Sequence, residues 1–489
     1  MAQTTPIPAV TDIDLESLVT DVVAEAMKAG ATDAEAVARE GDEFSVNVRM
    51  GEVETIKESG SRALGLRVFA GKRSASTSTS DLTPAGVRKL VQSAMALARI
   101  TEEDLFAGLP EAAEFSGTAS SQSEMVSTVS ESRQGAPRLC GWADDLHLYY
   151  DDVYSLPVAE RVEWARRCEA AALKADPRIN NSDGGSFDAS TGRRAMANSR
   201  GFVGGYRSSY AGVSAAPLAT DADGKMQRDG WWSSARRFAD LESPEAVGAE
   251  AARRTLRRLG ARRVRTQRVP IVFSPEAAQT LIGSFFEAVS GDAIWRGASF
   301  LAGKLGETIA APALTLVDDN LMILPNGAGG FGTSPFDAEG LPSRRTVVIE
   351  QGVLKSYLLN TYTARKLGMK STHNAARGLA GTPGIGCGNL YVQPGSYSKE
   401  EMLGELKAGL YVTSLMGFGV NVVTGDYSRG ATGLWIENGE LTHAVEEVTI
   451  AGNLGEMLGN ITAIGSDLEF RTAIASPTLR IDGMTVAGT

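Results

Sequence analysis

Histidine, the side chain that most often ligates catalytic zinc or moves protons near neutral pH, occurs three times in 489 residues, as His147, His373 and His443. No two of them are close in sequence. Cysteine is as scarce, and Cys140, Cys168 and Cys387 are too scattered for a disulfide framework or a CxxC zinc site. Cys387 lies in Gly384-Ile385-Gly386-Cys387-Gly388 with no neighbouring histidine to activate a thiolate, and reads as an inert small residue in a glycine-rich turn. Asp318-Asp319, Asp337 and Glu339 carry the oxygen donors that Mg²⁺ or Ca²⁺ prefers. Asp-rich turns between strands more often cap backbone N–H groups, which is the reading adopted. His373, in Ser371-Thr372-His373-Asn374, reads as a surface loop histidine. Gly327-Ala328-Gly329-Gly330-Phe331-Gly332 lacks the strand–loop–helix setting and the following lysine of a phosphate loop, and that reading is rejected.

The elements that must position these residues follow from periodicity. Leu15, Leu18, Val19, Val22, Val23, Ala26 and Met27 recur at helical spacing, with Gly30 placed to end the helix. Phe44, Val46, Val48 and Met50 alternate with polar neighbours as in a half-buried strand, and Gly51-Glu52 turns into Val53–Ile56. Leu64, Leu66 and Val68 lead through Gly71-Lys72 into Arg73–Thr79, and Thr83-Pro84 opens a second helix. Residues 1–105 are thus expected to form an N-terminal α+β domain. Residues 106–137, rich in Ser and Gly, read as a linker or flap. Residues 138–242 read as a middle α+β segment, with a helix over Pro157–Lys174 and Gly-punctuated strands over Gly185–Ala216. In 243–489, a helix after Ser243-Pro244 ends at Gly260, Val269–Phe273 is a short strand, and Ser274-Pro275 caps a helix. Repeated apolar runs split by Gly then predict a large strand-rich domain with a curved or barrel-like antiparallel sheet. The fold class is α+β.

Composition narrows the function. Asp+Glu 59 against Lys+Arg 48 gives a net charge of −11, which argues against non-specific binding to nucleic acid. The eight arginines between Arg253 and Arg268 therefore read as a solvated helix face with acidic partners. No apolar run approaches the roughly 20 residues of a membrane span, and no basic n-region precedes Lys28. A cytoplasmic protein is expected, with no nucleic-acid and no membrane partner.

Several stretches together resemble the TldD/PmbA family. They are Gly65-Leu66-Arg67-Val68-Phe69, Phe336-Asp337-Ala338-Glu339-Gly340, Gly352-Val353-Leu354, Gly425-Asp426-Tyr427-Ser428, Thr449–Leu454 and Ile464–Leu468. Ser299-Phe300-Leu301, Lys304–Glu307 and Asn360–Lys366 resemble its PmbA (TldE) branch. The resemblance implies a heterodimeric cytoplasmic zinc protease acting on peptides and unfolded segments. It also implies that the TldD-type subunit carries HExxxH and a later cysteine as third ligand, with the motif's Glu as general base. In this chain Phe286-Glu287-Ala288-Val289-Ser290-Gly291 occupies the motif's place. Glu287 is kept, while Phe286 and Gly291 stand where the histidines would be. After Asp467 the chain reads Leu468-Glu469-Phe470-Arg471-Thr472-Ala473, with no cysteine. Hydrolytic zinc uses three protein ligands and an open position, and neither a phenyl ring nor a glycine can supply a lone pair. His373 also falls where the family usually has glycine.

The expectation is a non-catalytic subunit, with no catalytic, cofactor-binding or metal-binding residue of its own. It would shape a chamber and bind extended substrate beside a zinc-bearing TldD-type partner. The alternatives are a stand-alone peptidase with an unrecognised site and a homodimeric, chaperone-like peptide-binding protein.

Overall fold

The computed structural model describes residues 13–116 and 144–489, so Cys140 and most of the expected 106–137 linker lie outside the described residues. Helix α1 (Leu15–Lys28) is capped by the Asp14 carboxylate and buries Leu15, Val19, Val22, Val23 and Ala26. Strand β1 (Asp33–Arg49) follows, then β2 (Glu52–Ala70) and β3 (Arg73–Thr79). The two short strands expected at 53–56 and 64–68 are one 19-residue strand, because β1 pairs with it from Phe69 back to Glu52 with a single register shift at Asn47/Val48. Helix α2 (Pro84–Ile100) starts on the Thr83 cap, and the short α3 (Ala112–Ser116) ends the first described stretch.

After 144 the chain forms α4 (Val158–Lys174), β4 (Ile179–Asn198), β5 (Val203–Thr220), β6 (Met226–Arg228), β7 (Trp231–Ala235) and α5 (Pro244–Leu256). Residues 13–105 and 144–235 share one sheet, ordered β3-β2-β1-β4-β5-β6, with β7 also on β5. The ladder between β1 and β4 runs from Glu35↔Asn198 to Val48↔Gly185. Ala36, Ala38, Phe44, Val46 and Val48 alternate onto one face of β1, where α1 and α2 cover one half and α4 and α5 the other. Glu35, Val37 and Arg39 point to the opposite face, against the C-terminal region.

In that region β8 (Gln267–Phe273) leads into α6 (Pro275–Val289) and the one-turn α7 (Gly291–Trp295). Strand β8 pairs in parallel with Ala408–Met416, which pairs with Asp426–Glu437, which pairs with Glu440–Asn453. Leu479–Ala487 bridges Glu440–Asn453 back to β8, closing a five-strand barrel. Within the barrel only the pairing of β8 with Ala408–Met416 is parallel; more than a hundred residues separate the two and no tight hairpin joins them. A second sheet of five short strands contains Leu316–Asp319, Arg345–Glu350 and Asn389–Val392. About a quarter of the chain is helical (25%) and 39% is strand, as the α+β expectation required.

Candidate functional site

The degenerate motif lies at the junction of α6 and α7. Helix α6 starts where Ser274 accepts the Ala277 N–H and Pro275 supplies a pre-set φ. It buries Ala277, Ala278, Leu281, Ile282, Phe285, Ala288 and Val289 against Ile271, Phe273, Leu410 and Val412 of the barrel. Each fully buried large side chain contributes about 1.5–3 kcal/mol, so this face holds the helix in place. Phe286, half-buried, packs against the same core. Glu287 points to solvent and has no side-chain partner among the described residues.

The helix stops at Ser290, whose backbone is extended (φ −64, ψ 131). Gly291 does not itself end α6. It is the first residue of α7, and its N–H donates to the Leu358 carbonyl at 2.8 Å. Ser299 Oγ donates to the Ala288 carbonyl at 2.6 Å, satisfying a group that the helix end leaves open. A Cβ on Gly291 would stand 2.5 Å from Thr363 Oγ1 and 2.8 Å from Leu359 Cδ2. The residues here do not fit a zinc ion. Phe286 and Gly291 offer no donor, the Thr363 and Leu359 side chains crowd position 291, and Glu287 is a single carboxylate.

The other candidate carboxylates do not converge. Asp318 accepts from Asn374 Nδ2 at 2.6 Å and from the Gly388 N–H at 2.8 Å; burial pushes its carboxyl up to about 7. Asp319 accepts the Leu321 N–H and faces Arg345. Asp337 accepts the N–H groups of Glu339, Leu341 and Ala375, closing the turn at 337–341. Glu339 accepts the Thr361 N–H at 2.9 Å, at the start of helix Thr361–Leu367. Burial raises both carboxyls above the ordinary range. These groups cap backbone donors, and no set of three or more His, Cys, Asp or Glu among the described residues is placed to hold a metal.

His373 departs from expectation: it is buried, not on the surface, and its backbone is left-handed at φ 59. A left-handed backbone favours glycine, which accounts for this position being one the family usually gives to glycine. The imidazole Nδ1 lies 2.7 Å from the Pro342 carbonyl, and burial beside Arg344 lowers its pKa to about 4. Cys387 is held as an unreactive thiol, pushed up to about 12 by burial and Asp318. In the 327–332 stretch the carbonyls of Gly329, Gly330 and Phe331 accept from Arg236, so that loop turns acceptors, not donors, inward. In the arginine-rich run, Arg253 pairs with Glu250, Arg254 with Glu276 and Arg263 with Glu447.

Two features had no signal in the sequence. Glu35, with no solvent exposure, bridges Arg67 at 2.8 Å and Arg377 at 2.7 Å, tying the N-terminal sheet to the C-terminal region. The second is an open strand edge. Strand β3 covers β2 only from Leu64 onward, so among the described residues Glu52–Ala63 has no strand partner on its outer side, and Glu52–Gly60 is exposed on both faces.

Three family models match the chain: PmbA/TldA metallopeptidase domain 1 over residues 34–98, the central domain over 151–259 and the C-terminal domain over 266–488. The Escherichia coli protein named Metalloprotease PmbA is 38% identical over 445 residues, covering 91% of this chain and 90% of that one. A Metalloprotease PmbA homolog of Haemophilus influenzae is 33% identical over 476 residues, covering 97% and 96%. Among solved structures, a putative modulator of DNA gyrase from Bacteroides thetaiotaomicron superposes with a TM-score of 0.83 at 25% identity, over 97% of this chain and 99% of that one. TldE from Thermococcus kodakarensis has the same fold, with a TM-score of 0.78 at 21% identity over 96% and 100%. With its domains matched along most of its length and full-length relatives of the same kind, this chain belongs to the PmbA/TldD metallopeptidase family and fits its PmbA/TldE branch.

Proposed function

We propose that this chain is the non-catalytic subunit of a two-chain metallopeptidase, paired with a family member that carries an intact HExxxH motif, zinc and the later cysteine. In this reading it binds an extended peptide or unfolded segment and presents it to that partner. The observation that carries the reading is the closed helix end at 286–291. Phe286, half-buried, packs against the barrel core, Gly291 is packed against Thr363 and Leu359, and only Glu287 is fully exposed to solvent. A single carboxylate leaves the three-ligand requirement of hydrolytic zinc unmet.

The substrate-holding role is supported by the open edge of β2. Its unpaired N–H and C=O groups can add a strand of substrate through backbone hydrogen bonds, a mode largely indifferent to side chains. Glu52, Glu54 and Glu58 on that edge favour a segment that is not itself acidic.

The test is reconstitution. The purified chain, a purified HExxxH-bearing relative and their mixture are assayed for zinc content and for hydrolysis of an unstructured peptide. The reading expects turnover from the mixture beyond either chain alone, with zinc held by the relative at about one per pair. Hydrolysis by this chain alone, with stoichiometric zinc, would overturn it. A stable self-assembly that never associates with the relative would favour the chaperone-like alternative.

A further inference from the structure

Two arginines meet on the inward face of the N-terminal sheet. Arg39 on β1 and Arg194 on β4 stand directly opposite each other across the ladder, where like charges repel. Tyr206 on β5 is the next residue in that row, opposite Arg194. Arg377, its side chain 3% exposed, closes over the same face, and its carbonyl accepts from Arg39 Nη2 at 3.1 Å. The nearest buried acid, Glu35, is already shared between Arg67 and Arg377. Among the described residues no carboxylate lies in ion-pair range of Arg39 or Arg194. Arg39 Nε, Arg194 Nε and Arg194 Nη2 are shielded from water and have no hydrogen-bond partner among the described residues.

Both side chains are half-buried, and guanidinium N–H groups shielded from water without acceptors are costly. Such an arrangement calls for an anion. Arg194 and Tyr206 also line a cleft of about 380 Å³, whose wall carries Arg193 and Arg207 as well as Asp14, Glu16 and Asp144, so a small group can reach Arg194 from that side. We infer that Arg39 and Arg194 form an oxyanion-binding site at the inner wall of this cleft, taking a carboxylate or phosphate group. The planar guanidinium fork matches two oxygens of either group with charge-assisted hydrogen bonds. The inference is independent of the proposed subunit role, since it concerns the sheet and not the 286–291 helix end.

Calorimetric titration of the full chain in chloride buffer tests it with three probes: inorganic phosphate, a short neutral peptide with a free C-terminal carboxylate, and the same peptide as its amide. At least one of the first two should bind, with affinity falling as salt rises. Phosphate alone binding assigns the site to phosphate; free-acid peptide binding without amide binding assigns it to a chain-terminal carboxylate. In either case Arg194→Gln and Arg39→Gln should each weaken binding about 10-fold or more, while Arg228→Gln, on an exposed arginine outside the cleft, should not. Thermal unfolding supplies a second readout. The bound probe should raise the wild-type midpoint and leave that of Arg194→Gln unmoved, and Arg194→Gln should fold, because it relieves a like-charge contact. No binding of phosphate or free-acid peptide, or binding unchanged in both Gln variants, overturns the inference.

Discussion

Gly291 is packed so closely by Thr363 and Leu359 that any side chain there must displace one of them. The double variant Phe286→His with Gly291→His should therefore fail to hydrolyse an unfolded peptide with zinc added, since the third ligand is also missing. It should be less stable than Phe286→His alone by about 1–3 kcal/mol, the usual cost of overpacking. Peptide assay and denaturant unfolding check the two halves, and robust turnover would reveal a latent site. His373 makes a second residue-scale prediction. Its folded pKa of about 4 lies below its ordinary value of 6.5, so the unfolded chain binds the proton first as pH falls. Stability is then lost progressively between about pH 6.5 and pH 4, to a total of about 3 kcal/mol. His373→Asn, which tolerates the left-handed backbone, should flatten that slope in unfolding measured at pH 6.5, 5.5 and 4.5. An unchanged slope would assign the acid sensitivity elsewhere. The broken motif was legible in the sequence because it rests on residue types alone. The burial of His373 was not, because the segments that cover it come from distant parts of the chain.

At the scale of elements, β2 is the clearest case of a strand with two lives. From Leu64 onward it is an inner strand between β1 and β3; before that its outer edge is open. An unstructured peptide that adds to this edge should slow amide hydrogen exchange across Glu52–Arg62 and leave the already paired Leu64–Phe69 unchanged. Mass-spectrometric exchange with excess peptide reads this directly, and equal exchange with and without peptide would rule out strand addition here. The helices were the most legible elements. Thr83, Ser243 and Ser274 each cap the helix that their sequence announced, because a cap is set by its nearest neighbours. Long strands were legible as apolar alternation but not in extent, since Glu52–Gly60 carries no buried face of its own and is a strand only because β1 pairs with it.

At the scale of the molecule, Glu35 joins two parts that also meet through apolar contacts among Val37, Met196, Phe202 and Phe336 and through polar contacts such as Arg236 to the 329–331 carbonyls. Glu35→Ala leaves Arg67 and Arg377 buried without their shared carboxylate, which should cost about 3–5 kcal/mol. The N-terminal sheet should then loosen from the C-terminal region. Limited proteolysis should cut sooner near 377–381, and unfolding should broaden or split into two transitions. Wild-type protease resistance with an unchanged single transition would show that the remaining contacts hold the two together without Glu35. Close approach adds to this docking: a Cβ on Gly65 of β2 would drive into the Leu379 carbonyl, so only glycine lets the sheet sit this near.

Local sequence determined what neighbours along the chain can enforce: the capped helices, the apolar face of each long strand, the α+β class and the loss of both histidines at 286 and 291. Family membership was legible for the same reason, since short stretches kept in order need no tertiary knowledge to compare. Tertiary structure alone decided which strands pair across a hundred residues or more. It closed the barrel from β8 to Leu479–Ala487 and merged residues 13–105 with 144–235 in one sheet. It also set Arg39 opposite Arg194 and sealed Asp318 and His373 from water. Periodicity says which face of an element is turned inward, whereas what covers that face depends on segments far away in sequence.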